Sequence, residues 1–191
     1  MQFSVFVLPK VYRIFAWSLK GMGDALEIST FVKNIVGSNT SASVILPAIL
    51  FVVAVFLSFS TGTSWGTFAI LVPIAIAMFP GSENVQMMII AVSAVLAGAV
   101  CGDHISPISD TTVMSSAGAQ SNHINHVTTQ MQYAAVVAVV SFIGYIIAGF
   151  IHIWWVVLGI SLVLLLIILN VLRRISNGKE QCADMQEKKH A

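Results

Sequence analysis

The stretch "VCGDHISPISDTT", residues 100–112, sets two carboxylates, a histidine, a proline and four hydroxyl side chains between apolar runs. Residues 85–100 before it are almost wholly apolar, and a strongly apolar helix follows from about Gln130. Polar groups in such a place need a chemical reason. A charged side chain at the centre of a bilayer costs at least ~2.5–3.5 kcal/mol on insertion scales, so Asp103 and Asp110 call for something to neutralise them.

The surrounding composition puts the stretch in a membrane. Of the 191 residues, 57% are hydrophobic and 9% charged, and the mean hydropathy is +0.90. Soluble domains carry far more charge. At roughly 20 apolar residues per spanning helix, the chain has room for about five or six membrane segments and for no large soluble domain beside them. A net charge of +1 with scattered basic residues argues against nucleic-acid binding. Cys101 and Cys182 are too few and too far apart for a disulfide framework. The opening "MQFSVFVLPKVYRIFAWSL" has no basic segment ahead of its apolar stretch and no small-residue cleavage pattern, so it does not read as a signal peptide.

The clearest span is residues 153–172, whose polar residues are one serine and one asparagine. Tryptophans at one end and Arg173–Arg174 at the other predict a cytoplasmic C-terminus by the positive-inside rule. Residues 1–172 read as a membrane domain, and 173–191 as a disordered cytoplasmic tail. Residues 127–150 form a second span, paired with the last through a very short link at 151–152.

The middle is interrupted twice. Residues 44–59 read as a short span, followed by "STGTSWGT" at 60–67 and the apolar stretch 68–79. That second arm is about 12 residues, roughly 18 Å of helix, too short for a core of about 30 Å. A re-entrant hairpin is the expectation. Residues 85–100, broken by Gly102 and Pro107 before a short helix at "SDTTVMSSAGA", read as a membrane helix interrupted partway. Non-helical backbone at membrane depth survives where it is buried in protein or lines a cavity. Two breaks predict one cavity between them.

Hard cations of the sodium type prefer oxygen ligands. The candidates are Ser60, Thr61, Gly62, Thr63 and Ser64 at the hairpin tip with Asp103, Ser106, Ser109, Asp110 and Thr111 at the break. Asp103 and Asp110 are the expected metal-ion ligands, and those two with His104 the expected proton-coupling groups. No zinc pattern competes, since Cys101 and His104 lack two further ligands at suitable spacing. Nucleophilic hydrolysis is disfavoured because Asp103, His104 and Ser106 are too close in sequence to assemble a triad. No catalytic residue and no bound cofactor are expected.

Several residues carry a plainer reading. Trp65 fits helix packing as well as a substrate path. Asp110 could cap the short helix. His123 and His126 read as solvated loop residues, and Lys20 with Asp24 as an i,i+4 pair.

"FSTGTSWGTFAILVPIAIAM" and "GDHISPISDTTVMSSAGAQSNHINHVTTQMQYA", with "AWSL" at 16–19, resemble signature stretches of the NhaC-type sodium/proton antiporters across roughly residues 14–150. The resemblance implies a multi-pass carrier in the cell inner or plasma membrane, driven by Na+ or H+, with a cation site built from a hairpin tip and a broken helix. It also implies that some members exchange organic acids or carry amino acids. Carriers of this kind are two inverted repeats around a midplane site, whereas this chain supplies one hairpin and one broken helix. The fold class is therefore all-α, resembling one repeat of an inverted-repeat transporter plus C-terminal helices. The expected partners are the bilayer, a small cation or solute, and an N-terminal half or partner subunit. The alternative is a membrane remnant or accessory subunit that kept the fold and lost transport.

Overall fold

A computed structural model describes residues 40–79, 85–151 and 153–190, together with Ser18, Gly21, Met22 and Ala25. Lys10, Arg13, Lys20, Asp24 and Glu27 lie outside the described residues. The described chain is helical without strands, in six helices: α1 Thr40–Thr61, α2 Ser64–Met78, α3 Val85–Ile105, α4 Asp110–Gly118, α5 His123–Phe150 and α6 Trp154–His190. Stretches within α1, α3, α5 and α6 are long and apolar enough to cross a membrane, while α2 with 15 residues is shorter. This is a polytopic membrane protein.

Glycines decide how the central helices meet. A Cβ on Gly98 would lie 2.4 Å from the Phe51 carbonyl oxygen, and one on Gly102 would lie 2.3 Å from that of Val55. With Ala94, these form a small-xxx-small stripe that lets α3 lie against the backbone of α1. Both residue numbers rise together along the contact, so α1 and α3 run parallel. Ser58 Oγ donates to the Ala99 carbonyl at 2.6 Å within it.

Between two parallel helices the chain must return, and α2 makes that return. It starts where Ser64 meets Asp103 near the end of α3, and only residues 80–84 separate Phe79 from the start of α3. Leu71, Ala75 and Phe79 then join Leu46, Leu50, Ala54, Ala91, Val95 and Ala99 in one apolar core. Burial of these side chains contributes on the order of 25 cal/mol per Å² where it removes them from water. Against lipid, close packing is what holds them.

Helix α5 runs antiparallel to α1. Gly149 lies against the Val44 backbone, the Tyr145 ring is 5.4 Å from that of Phe51, and Tyr145 Oη donates to the Ser93 carbonyl at 3.0 Å. The short link through Ile151 and Ile153 then reverses the chain, and Gly144 meets Ser161 of α6. Helices α1, α3 and α6 therefore share one direction. None of the 155–174 stretch of α6 is buried, as expected for a strongly apolar helix facing lipid or further protein.

One sequence reading needs correction. Gly102 does not break α3, which continues as helix to Ile105; its small size serves close approach instead. The backbone of α6 continues as helix through the polar stretch to His190. Lys, Glu, Gln, Ala and Met are good helix formers, and extending an existing helix avoids the cost of a new nucleus.

Candidate functional site

The first break is confined to Gly62 and Thr63. Gly62 has φ +67°, a left-handed conformation open to glycine, and its N–H still donates to the Ser58 carbonyl at 2.8 Å. Thr63 then caps α2: its backbone is extended and its Oγ1 accepts from the Gly66 amide. The second break spans Ser106 to Ser109, where Pro107 removes a backbone donor. Ser109, not Asp110, caps α4, accepting from the Thr111 amide at 3.2 Å. Asp110 is the first residue of that helix, where a carboxylate suits the dipole.

These breaks touch. A Cβ on Gly62 would lie 2.9 Å from both Cγ1 and the carbonyl oxygen of Ile108, and Ser106 Oγ donates to the Phe59 carbonyl at 2.8 Å. Between them sits Asp103, 5% exposed. Its Oδ2 accepts from Ser64 Oγ at 3.1 Å and its Oδ1 from Ser109 Oγ at 2.5 Å. The second is as short as charge-assisted O–H···O bonds become. Thr67, Ser106, Ser109 and Thr112 are buried around the same junction.

Among the described residues, the carboxylate is hydrogen-bonded to two hydroxyls and to no basic side chain. Hydrogen bonds to a charged group are worth about 1.5–3 kcal/mol each. Two of them hold the carboxyl group in place, and neither brings a charge that would balance a carboxylate. The hydroxyls can rotate and turn lone pairs toward a bound cation. Oxygen-only surroundings of this kind suit a proton or a hard cation.

Not every candidate converges here. Ser64, Asp103, Ser106 and Ser109 are brought together, with Gly62 forming the turn against Ile108. Ser60 and Thr61 are exposed, and their hydroxyls are returned to the α1 carbonyls of Phe56 and Leu57. Asp110 is exposed. Thr111 bonds Ser109 at 2.7 Å and so joins the edge of the network. His104 is exposed on the other side of α3, where Nδ1 bonds the Val100 carbonyl at 2.9 Å. No group of three or more His, Cys, Asp or Glu gathers among the described residues.

His123 and His126 are engaged in the structure, against their reading as solvated loop residues. Nε2 of His123 bonds the Pro107 carbonyl at 2.8 Å and its Nδ1 lies 3.0 Å from Ser116 Oγ, so the start of α5 supports the second break. His126 Nε2 lies 3.2 Å from Ser115 Oγ. The four-residue steps from Asn122 to His126 and from His126 to Gln130 could have signalled the start of a helix, since Asn122 is its N-cap. "GTSWG" at 62–66 also has the G-x-S-x-G spacing of a nucleophile elbow. It joins two helices, however, and its serine donates to a carboxylate.

Residues 1–150 match the Na+/H+ antiporter family. The chain belongs to that family. An uncharacterized protein of Haemophilus influenzae strain Rd is 49% identical over 136 residues, covering 71% of this chain and 26% of the relative. A protein of Bacillus subtilis strain 168 named as a malate-2H(+)/Na(+)-lactate antiporter is 32% identical over 111 residues, covering 58% of this chain and 23% of that protein. The chain thus spans about a quarter of the length of these two relatives. No solved structure matches it. The family is one of cation antiporters, and the buried Asp103 lies within the matched region.

Proposed function

We propose that the chain forms part of a carrier exchanging Na+ for H+ across the cell membrane, with Asp103 as the group for which the two ions compete. The supporting observation is the buried carboxylate of Asp103, held by Ser64 and Ser109 where two helix breaks meet. Exchange follows from charge. An ionised, unpaired carboxylate in low dielectric is unfavourable, whereas either a proton or a sodium ion neutralises it. The carrier then crosses loaded with one or the other, and movement of Na+ one way is tied to movement of H+ the other way.

In this reading Ser64, Ser106, Ser109 and the backbone near Gly62 and Thr63 complete the oxygen set. Ser60, Thr61, Asp110 and Thr111 stand at its rim, Asp110 attracting cations, and His104 passes protons. Helices α1 and α2 act as a re-entrant hairpin with its tip and the C-terminal tail on the cytoplasmic side, the side of Arg173 and Arg174. A second, inverted repeat from an N-terminal half or partner subunit closes the other face of the site. The short coverage of the relatives is consistent with that arrangement.

Exchange of organic acids coupled to sodium and protons is the second reading, favoured by the Bacillus subtilis relative. Both readings use the same carboxylate. Co-expression with the matching half of the Haemophilus influenzae relative and assay in membrane vesicles separates them. Sodium-dependent proton movement with no added organic acid supports the first reading, and movement that requires malate or lactate supports the second. Wild-type exchange in Asp103→Asn would sink both.

A further inference from the structure

Among the described residues, one line of hydroxyls connects buried Asp103 to the surface. Thr111 is exposed, its Oγ1 lies 2.7 Å from Oγ of the fully buried Ser109, and that oxygen lies 2.5 Å from Asp103 Oδ1. The other hydroxyls at the junction end the chain of bonds. Thr67, Ser106 and Thr112 give their hydrogens to the carbonyls of Thr63, Phe59 and His104, which have none to pass on. The Ser64 hydroxyl is bonded to Asp103 and, among the described residues, to no group beyond it.

The hydrogen accounting at Ser109 makes this line a conductor. Its Oγ has one hydrogen and two lone pairs, and it has three neighbours: Asp103 Oδ1, Thr111 Oγ1 and the Thr111 amide at 3.2 Å. The amide can only donate, so it holds one lone pair in every state. That leaves the hydroxyl hydrogen two positions, toward Asp103 or toward Thr111. With a carboxylate at Asp103, Ser109 donates inward and Thr111 donates to Ser109. With a hydrogen on Oδ1, Asp103 donates to Ser109, Ser109 to Thr111, and the Thr111 hydrogen turns outward. Both arrangements fit the same heavy-atom positions. At its outer end Thr111 lines a polar cleft of about 530 Å³ together with His104, His126, Gln130 and Tyr133. At about 30 Å³ per water molecule, that cleft has room for several.

We propose that Thr111 and Ser109 form the proton relay of the carrier, passing a proton between this cleft and Asp103 Oδ1. The relay rests on the sodium/proton reading given above and assigns the path by which the proton arrives. A hydronium ion in the cleft gives a proton to Thr111 Oγ1 as Thr111 gives its own hydrogen to Ser109 Oγ and Ser109 gives its own to Oδ1. Three O–H bonds form and three break. The carboxylate is neutralised, a water molecule is left in the cleft, and each hydroxyl ends neutral with its hydrogen turned outward. Release of the proton runs the same steps in reverse and restores the first arrangement.

The test uses the co-expressed carrier in membrane vesicles and compares two modes, sodium exchanged for protons and labelled sodium exchanged for sodium. The second mode moves no proton. Thr111→Val keeps the shape of the side chain and removes the hydroxyl, so the ratio of the first rate to the second should fall at least about tenfold; a positioned proton-transfer group contributes about 10²–10⁴. Thr111→Ala should do the same, which keeps the test open if the first variant disturbs α4, and Thr111→Ser should restore most of the ratio. An unchanged ratio in both Thr111→Val and Thr111→Ala, with both modes slowed equally or neither slowed, overturns the relay. So does a ratio in Thr111→Ser as low as in Thr111→Val. No exchange in the unsubstituted carrier, or wild-type sodium/proton exchange in Asp103→Asn, is a distinct result that removes the underlying reading and the relay with it.

Discussion

Ser64 and Asp103 are 39 positions apart in the chain and joined by a hydrogen bond of 3.1 Å, which ties the start of α2 to the end of α3. That bond connects the two interruptions through the one buried carboxylate among the described residues. In the co-expressed carrier, Ser64→Ala should weaken apparent sodium affinity by about tenfold, the effect of losing a bond worth ~1.5 kcal/mol to a charged group. Ser64→Thr should restore much of it. Sodium titration of proton efflux in vesicles measures both, and an unchanged midpoint in Ser64→Ala would remove Ser64 from the site.

Asp103→Asn should abolish sodium-dependent proton movement while the protein still inserts and keeps its melting temperature within a few degrees. The amide preserves shape and removes the charge. Asp110→Asn, at an exposed helix start, should lower the rate without eliminating it. Equal losses in the two variants would show that burial does not distinguish their roles.

Gly102→Ala should destabilise the bundle by at least about 1–3 kcal/mol, because overpacking forces backbone to move and the added carbon would sit 2.3 Å from the Val55 carbonyl oxygen. Gly159→Ala in α6 is the counterpart. Nothing lies within 4 Å of its added carbon, and alanine in a helix interior is favoured by roughly 0.5–1 kcal/mol over glycine. Thermal unfolding in detergent should fall for the first and hold or rise for the second; the reverse order would contradict the packing.

His123→Ala should loosen the second break. It removes the bond to the Pro107 carbonyl, and hydrogen exchange of the Ile108 and Ser109 amides should accelerate while exchange in the middle of α3 is unaffected. No change at those amides would mean that α5 does not brace the break.

Helix directions can be checked in intact cells. With Cys101 and Cys182 replaced, single cysteines at Ser121 and Ser176 should share one labelling pattern, and a cysteine at Ile151 should show the opposite. Helices α5 and α6 run antiparallel, so Ser121 and Ser176 fall at one end of the pair. Identical labelling at all three positions would contradict that arrangement.

Much of this was legible because apolar length and polar interruption are written locally. Spans can be read from runs such as 153–172, and the two breaks from Gly62 and Pro107. The function of Gly102 was not legible, since a glycine that breaks a helix and one that admits a neighbouring backbone look alike until the neighbour is known. The same holds for Asp103 and Asp110: equal in type and seven residues apart, they differ because one lies beneath Ser64 and the other outside it. His123 was misread as a loop residue because its partner, the Pro107 carbonyl, is a backbone group 16 positions away.

The contact of Gly98 and Gly102 with the α1 backbone has a mechanical consequence. Helices joined carbonyl to glycine cannot slide past one another without collision, and the Ser58–Ala99 and Ser106–Phe59 bonds pin the same seam. The hairpin and the helix break therefore move as one rigid cassette. In the proposed carrier, the motion that brings Asp103 first to one side of the membrane and then to the other would take place at the outer boundary of that cassette, with the seam between α1 and α3 riding along unopened.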